Sequence, residues 1–174
     1  MNPLLDAFVS IRDFFEMGGD VLYAILFVTI LMWTFIIERI WFFYFVLPGH
    51  IDRAKTAWEE RSDTTSWAAH QIRTLLVSEV KLASKRYLLL VKTLMAVLPL
   101  LGLLGTVTGM IAVFDVMAFA GTGNARLMAG GVSKATIPTM SGLVAALSGL
   151  YFAALLEKKA TIETDRLEGL LVRH

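Results

Sequence analysis

The sequence has no cysteine and few charged residues. Only 18% of its 174 residues are Asp, Glu, Lys or Arg, whereas about 25% is usual in a globular domain. The absence of cysteine excludes disulfides, thiolate metal sites and a cysteine nucleophile. The 16 basic residues nearly balance the 15 acidic ones, so the chain lacks the strongly basic surface that binds nucleic acid. No nucleic-acid partner is expected.

Catalytic and metal-binding patterns are also missing from the sequence. The three histidines, His50, His70 and His174, lie far apart and do not have the spacing of metal ligands. The chain shows no Ser-His-Asp combination, no pair of carboxylates and no phosphate-binding loop. We therefore expect no enzymatic activity, no metal and no cofactor.

Hydrophobic residues, in contrast, make up 56% of the chain. Three apolar runs are long enough to cross about 30 Å of hydrocarbon, and the predicted spans are residues 20–47, 93–115 and 134–156. The aromatic run that starts at Trp41 is typical of a membrane interface, and Pro48-Gly49 is expected to end the first helix. The sequence therefore predicts an all-α integral membrane protein with three transmembrane helices.

The distribution of Lys and Arg predicts the orientation of these spans. Residues 48–92 contain eight of them and the tail 157–174 contains four, whereas residues 1–20 and 116–133 contain one each. Cytoplasmic loops are enriched in Lys and Arg. We therefore expect the segment 48–92 and the tail in the cytoplasm, and the N-terminus and the loop 116–133 in the periplasm.

The segments outside the spans are predicted to be mostly helical. Residues 1–18 form an amphipathic pattern typical of a helix on the membrane surface, and Gly18-Gly19 would allow a turn into the first span. A helix is expected to run from Ser66 into the second span without a break, and the tail to extend the third helix. The loop 116–133, rich in Gly and Ala, is expected to be mobile. The apolar face of the first helix would consist of Leu4, Phe8, Ile11 and Phe15.

Small residues recur at four-residue steps in the second and third spans. They leave room for another helix to approach closely. This packing could occur within one three-helix unit or between subunits around a shared axis. The candidate packing positions are Gly102, Gly105, Gly109, Ser141, Gly142, Ala145 and Gly149.

The same two spans carry a cluster of hydroxyl side chains, namely Thr106, Thr108, Thr139 and Ser141. Each hydroxyl could donate to a carbonyl of its own helix, as Ser and Thr often do. Alternatively, the hydroxyls could line a hydrated path that passes water or protons along. The residues alone leave both interpretations open.

Two motifs in these spans resemble those of the ExbB/TolQ/MotA proton-channel family. The stretch Pro99–Met110, with its core Gly-Leu-Leu-Gly-Thr-Val-Thr-Gly, is similar to the second-span signature. Residues 131–146 are similar to the third-span signature, and Glu38-Arg39-Ile40-Trp41 fits the end of the first span. The resemblance covers residues 20–160, and the compact middle segment is closest to a short ExbB.

The resemblance implies an inner-membrane subunit that forms a homopentamer around a central pore. The pore would enclose single spans of an ExbD-like partner, whose membrane aspartate carries the proton. The complex would energise a TonB-like protein for transport across the outer membrane. Thr106 and Thr139 match the threonines of the family pattern and are expected to face the pore.

One position departs from the family pattern, because ExbB and TolQ carry a glutamate where this sequence has Lys134. A lysine near the end of a span could extend its ammonium to the interface. It could instead pair with Asp115 or with a partner carboxylate beside the proton path. Two alternatives to an ExbB-like motor subunit therefore stay open: a TolQ-like subunit of a Tol-type motor and a non-conducting membrane scaffold.

Overall fold

The computed structural model describes residues 3–61, 63, 66–120 and 125–171, and almost all of them are helical. This confirms the all-α prediction. A five-residue π-helical turn, Phe42–Val46, lies between the second and third α-helices. The described residues form six α-helices: α1 (Pro3–Gly18), α2 (Asp20–Trp41), α3 (Leu47–Glu59), α4 (Trp67–Lys85), α5 (Leu88–Ala120) and α6 (Ala125–Leu170).

Three helical stretches are long and apolar enough to cross a membrane, as the sequence predicts. They are Asp20–Glu59, Trp67–Phe119 and Met128–Leu170. At 1.5 Å per residue, the 46 residues of α6 extend about 69 Å, more than twice the roughly 30 Å of bilayer hydrocarbon. Several turns of α6 therefore remain outside the hydrocarbon in any spanning arrangement.

The first spanning helix does not end at Pro48-Gly49, so that prediction is wrong. The chain stays helical through the π-helical turn and continues as α3 to Glu59. Pro48 lies in the first turn of α3. The π-helical turn ends at Val46, just before Pro48, and local π-helical adjustments of this kind accommodate a proline within a spanning helix, while its fixed φ suits helical backbone.

The helix predicted to run unbroken from Ser66 into the second span is interrupted, so that prediction is also wrong. α4 ends at Lys85 and α5 begins at Leu88. Between them, Tyr87 has a φ of 63°, which is the left-handed region that residues with a side chain rarely adopt. The sequence has no Gly or Pro at this point, and tertiary contacts stabilise the break.

The predicted loop 116–133 is largely helical, which corrects the expectation of a long mobile segment. α5 continues to Ala120 and α6 begins at Ala125. The remainder of that prediction, residues 121–124, lies outside the described residues. Alanine is the best helix former, and Gly is more frequent in transmembrane helices than in soluble ones, so a Gly- and Ala-rich segment can extend both helices.

At the N-terminus, α1 turns into α2 at Gly19, which has a φ of 66°. The rings of Phe15 and Tyr23 lie 5.1 Å apart across this turn. Phe8 and Ile11 are 71% and 57% exposed, whereas the side chain of Leu4 lies outside the described part. The exposed apolar residues of α1 are suited to a membrane surface.

The chain divides into two compact units. The first comprises Met1–Met32 and Thr93–Gly149, and the second comprises Trp33–Lys92 and Leu150–His174. The first unit contains the small-residue and hydroxyl positions of the second and third spans. The second unit contains α3, α4 and the Glu38-Arg39 pair.

Candidate functional site

In the first unit, α5 and α6 lie in close antiparallel contact. A Cβ on Gly102 would be 2.8 Å from Thr139 Cα and 3.0 Å from Pro138 O. A Cβ on Gly142 would be 2.5 Å from Leu98 O. Because these distances are shorter than van der Waals contacts, only glycine allows the two backbones to approach this closely.

The next glycines of α5 continue the contact. A Cβ on Gly105 would overlap the ring of Pro138 and would lie 3.4 Å from Val21 Cγ1 of α2. The Pro138 ring therefore occupies the space that the missing side chain leaves. One turn further, a Cβ on Gly109 would lie 2.7 Å from Ala135 Cβ. All three spanning helices contribute to the packing around Gly105.

The remaining small residues of α6 pack inside the same chain. A Cβ on Gly149 would lie 2.5 Å from Met32 Sδ and 3.1 Å from Met95 Cγ. Ser141 and Ala145 are half-buried, and the Ser141 hydroxyl donates to a carbonyl of its own helix at 2.9 Å. The five glycines favour the interpretation of packing within one subunit. Packing between subunits stays a prediction.

The hydroxyl groups of this unit differ in their partners. The half-buried Thr139 donates its hydroxyl to Gly102 O of the neighbouring helix at 2.9 Å. Thr106 donates to Leu103 O of its own helix at 2.7 Å, and Thr108 donates to two carbonyls of its own helix, both at 3.1 Å. Thr139 thus links the second and third spans, while its oxygen can still accept a further hydrogen bond.

The apolar runs 94–114 and 135–156 contain no Asp, Glu, Lys, Arg or His. Lys134 directly precedes the second of these runs and Asp115 directly follows the first, and both side chains are exposed. Within the ranges that the structure describes, they form no ion pair with each other. The proposed pairing of Lys134 with Asp115 is therefore absent from the single chain.

The second unit contains a buried arginine, Arg39, which belongs to the motif Glu38-Arg39-Ile40-Trp41. The sequence alone indicates no role for its side chain. Arg39 is 2% exposed. Its Nε and Nη2 donate to the two carboxylate oxygens of Glu38 at 2.6 and 2.7 Å, and its Nη1 donates to Ala83 O at 3.0 Å. The guanidinium also lies over the rings of Phe42, at 4.3 Å, and Tyr87, at 5.1 Å.

The position of Arg39 stabilises the break between α4 and α5. In a continuing helix, Ala83 O would accept from the N–H four residues later, but α4 ends at Lys85. The last carbonyls of a helix lack partners and carry the negative end of its dipole. The guanidinium supplies the missing donor and a positive charge. No local signal could reveal this contact, because the two residues are 44 positions apart.

Further contacts join α6 to the other helices of the second unit. Lys92 Nζ lies 2.8 Å from a carboxylate oxygen of Glu157. The rings of Trp33 and Phe152 are 5.0 Å apart. These contacts connect the end of the apolar run of α6, and the residue that follows it, to α2 and α5.

The packed glycines, the interhelical threonine and the two apolar runs all lie within a region that matches a known protein family. The sequence profile of the MotA/TolQ/ExbB proton channel family matches residues 51–169. The chain belongs to this family. It is a membrane protein, and its family is one of channels rather than enzymes.

Two relatives from Synechocystis sp. belong to the ExbB-like group by name. The biopolymer transport protein ExbB-like 3 is 44% identical over 71 residues, which cover 40% of this chain and 34% of that protein. The biopolymer transport protein ExbB-like 1 is 30% identical over 88% of this chain and 73% of its own length. The first match therefore spans about a third of that relative.

Proposed function

We propose that the chain is an ExbB-like subunit of a motor in the bacterial inner membrane that is driven by the proton-motive force. With an ExbD-like partner, it would energise a TonB-like protein for active transport across the outer membrane. The observation that carries this proposal is the pairing of the two motif-bearing helices around Thr139, between apolar runs that contain no charged residue.

A proton path through these helices needs a carboxylate at membrane depth, which the apolar runs 94–114 and 135–156 do not contain. Threonine hydroxyls donate and accept hydrogen bonds and can hold water, but they do not titrate in the physiological range. Thr106 and Thr139 therefore act as pore-lining residues, and a carboxylate from the partner's span carries the proton. An ExbD-like partner with a membrane aspartate fits this requirement.

The exposed surface of the spans supports assembly into a homopentamer around a central pore. Leu103 and Val107 on α5 are 58% and 51% exposed, and Val144 and Leu147 on α6 are 68% and 64% exposed. In a single chain these faces contact lipid. In the pentamer, part of this surface packs against neighbouring subunits and part encloses the partner's spans.

The proposed orientation places the N-terminus in the periplasm and the C-terminus in the cytoplasm. It follows from the excess of Lys and Arg in residues 48–92 and 157–174. In this orientation α1 lies on the periplasmic surface of the membrane. The ends of α5 and α6 that extend beyond the hydrocarbon reach into the cytoplasm with α3 and α4.

Proton flux into vesicles tests the proposal. Vesicles that contain the chain together with its ExbD-like partner should acidify when a potential is applied, and vesicles with the chain alone should not. Replacing the partner's membrane aspartate by asparagine should abolish the flux. Equal flux with and without the partner would contradict the proposed division of roles.

Lys134 favours a second candidate, a non-conducting scaffold, because ExbB and TolQ carry a glutamate at this position. A scaffold would bind the partner without conducting protons. Binding without flux in the vesicle experiment would support it. A TolQ-like motor differs only in its partner, and uptake through TonB-dependent receptors in a deletion strain separates the two motors.

A further inference from the structure

The second unit contains a cavity of about 420 Å³ between α6 and the segment formed by the π-helical turn and α3. Its floor includes Leu47 and Leu167, which are 1% and 0% exposed. Small-molecule sites typically range from about 300 to 1,000 Å³ and are mainly apolar with a few placed polar groups. The cavity has the size of such a site.

Basic side chains border this cavity. Lys55, Lys159 and Arg166 are among its lining residues, together with the acidic Asp52 and Glu163. Three basic and two acidic groups leave one net positive charge. That charge complements a single phosphodiester.

Lys159 is the basic residue with free hydrogen-bonding capacity. Its ammonium lies 3.9 Å from the ring centroid of Tyr44 and 5.9 Å from that of Phe43, and within the described ranges it forms no ion pair. An ammonium has three donors and no acceptor. The two rings hold it in place by cation–π attraction and leave its N–H groups for an oxygen ligand.

The other two basic residues have weak partners. Lys55 lies 3.6 Å from a carboxylate oxygen of Glu59, and Arg166 lies 4.0 Å from one of Glu163. Exposed ion pairs of this kind contribute little to stability. Both side chains can therefore turn towards a phosphate in the cavity at low cost.

The position of the cavity along the chain identifies the source of that phosphate. The aromatic residues at its edge, Phe43 and Tyr44, lie at the C-terminal end of the first predicted span, and Lys159 comes three residues after the third run ends at Leu156. Aromatic belts mark the height of lipid headgroups, and basic pockets between helices on the cytoplasmic side bind anionic headgroups. Basic side chains at this height suit the phosphate of a lipid whose acyl chains lie in the bilayer.

We propose that this cavity binds the headgroup of an anionic glycerophospholipid of the cytoplasmic leaflet, with the phosphate on Lys159 and the acyl chains in the bilayer. The proposal rests on the orientation given under the proposed function, but it does not depend on proton conduction. The bound lipid would connect the first spanning helix to α6 next to the membrane surface.

Lipid binding to the detergent-purified full chain tests this proposal, with native mass spectrometry as the readout. Phosphatidylglycerol should bind at lower concentration than phosphatidylcholine. Lys159→Gln should raise the half-saturating concentration about fivefold, the change expected for one basic residue near a phosphate. Lys158→Gln is the matched control, since Lys158 is adjacent and exposed but does not line the cavity, and it should bind like the wild type.

Several outcomes would overturn the proposal. Equal losses in Lys158→Gln and Lys159→Gln would mean that the charges act without a site, and equal binding of both lipids would remove the phosphate's role. Competition by glycerol phosphate at similar concentration would assign the cavity to a soluble ligand. Binding confined to dissociated subunits would mean that a neighbouring subunit covers the cavity and would overturn the proposal.

Lys55→Gln provides a second variant if purified Lys159→Gln does not remain monodisperse. A smaller loss of lipid binding is expected for it. Proton flux, measured for Lys159→Gln and Lys55→Gln together with the ExbD-like partner, tests the proposed motor function separately from lipid binding.

Discussion

The Thr139 hydroxyl of α6 donates to the carbonyl oxygen of Gly102 on α5, 2.9 Å away. At the same point a Cβ on Gly102 would meet Thr139 Cα at 2.8 Å. The glycine therefore makes possible the approach that the hydrogen bond requires. One residue pair joins the second-span motif to the third-span motif, and it places a hydroxyl group between two apolar runs that contain no charged residue.

The first prediction concerns that hydroxyl. Thr139→Val keeps the shape of the side chain and removes the donor. An interhelical hydrogen bond in a membrane contributes about 0.6 kcal/mol on average, so the chain should fold and assemble while proton flux and TonB-dependent uptake fall. Thr139→Ser should retain most activity. Thr136→Val is the control, because the exposed Thr136 donates only to Ser133 O of its own helix. Full uptake by Thr139→Val at equal protein level would refute the role of the hydroxyl.

A second prediction concerns the packing at Gly105. Gly105→Ala places a methyl group against the Pro138 ring, and such overpacking costs about 1–3 kcal/mol. The purified protein should lose its thermal stability in detergent, and the larger Gly105→Leu should also loosen the oligomer in native mass spectrometry. Gly130→Ala should be neutral or stabilising, because nothing lies within 4 Å of a Cβ there. Matching melting temperatures for the two alanine variants would contradict the packing role.

The third prediction concerns Arg39. Arg39→Gln removes the charged donor of Ala83 O and the stacking on Phe42. Hydrogen bonds to charged groups contribute about 1.5–3 kcal/mol, so the melting temperature should fall clearly. Arg39→Lys should rescue little, because an ammonium cannot reproduce the planar fork. Arg53→Gln, at an exposed position of α3, serves as the control and should melt like the wild type. Hydrogen exchange should accelerate at the α4–α5 break in the Arg39 variants alone.

The fourth prediction concerns orientation. Ser62 and Thr122 would be natural labelling positions from the sequence, but both lie outside the described residues. Glu60, in the turn after α3, and Gly130, near the start of α6, are described and exposed. In outer-membrane-permeabilised cells, Gly130→Cys should react with a membrane-impermeant thiol reagent and Glu60→Cys should not. The reverse labelling would overturn the proposed topology.

The fifth prediction concerns Lys134. If its exposed ammonium only reaches the membrane interface, Lys134→Ala should leave uptake and flux nearly unchanged. If it pairs with a partner carboxylate, the variant would leave a buried charge uncompensated, at a cost of about 3–5 kcal/mol. The partner would then co-purify less well. Co-purification with the ExbD-like protein, measured for Lys134→Ala and Lys134→Arg at equal expression, distinguishes these outcomes. We expect the first, because Lys134 lies at the end of its apolar run.

The sequence by itself determined the class of protein, the three spans and the family. These features depend on composition, on the length of apolar runs and on local motifs, which need no knowledge of distant contacts. The helical tail belongs with them, since the residues after Leu156 contain no proline and continue the pattern of α6 to Leu170.

Only the tertiary structure decided where helices break and which hydroxyl links two of them. Tyr87 adopts a left-handed conformation without a glycine, and Arg39, far away in sequence, donates to Ala83 O beside the break. Thr106 and Thr139 look alike in their motifs, yet one donates within its own helix and the other across to Gly102. Both outcomes depend on which helix faces each side chain, and the periodicity of one helix does not contain that information.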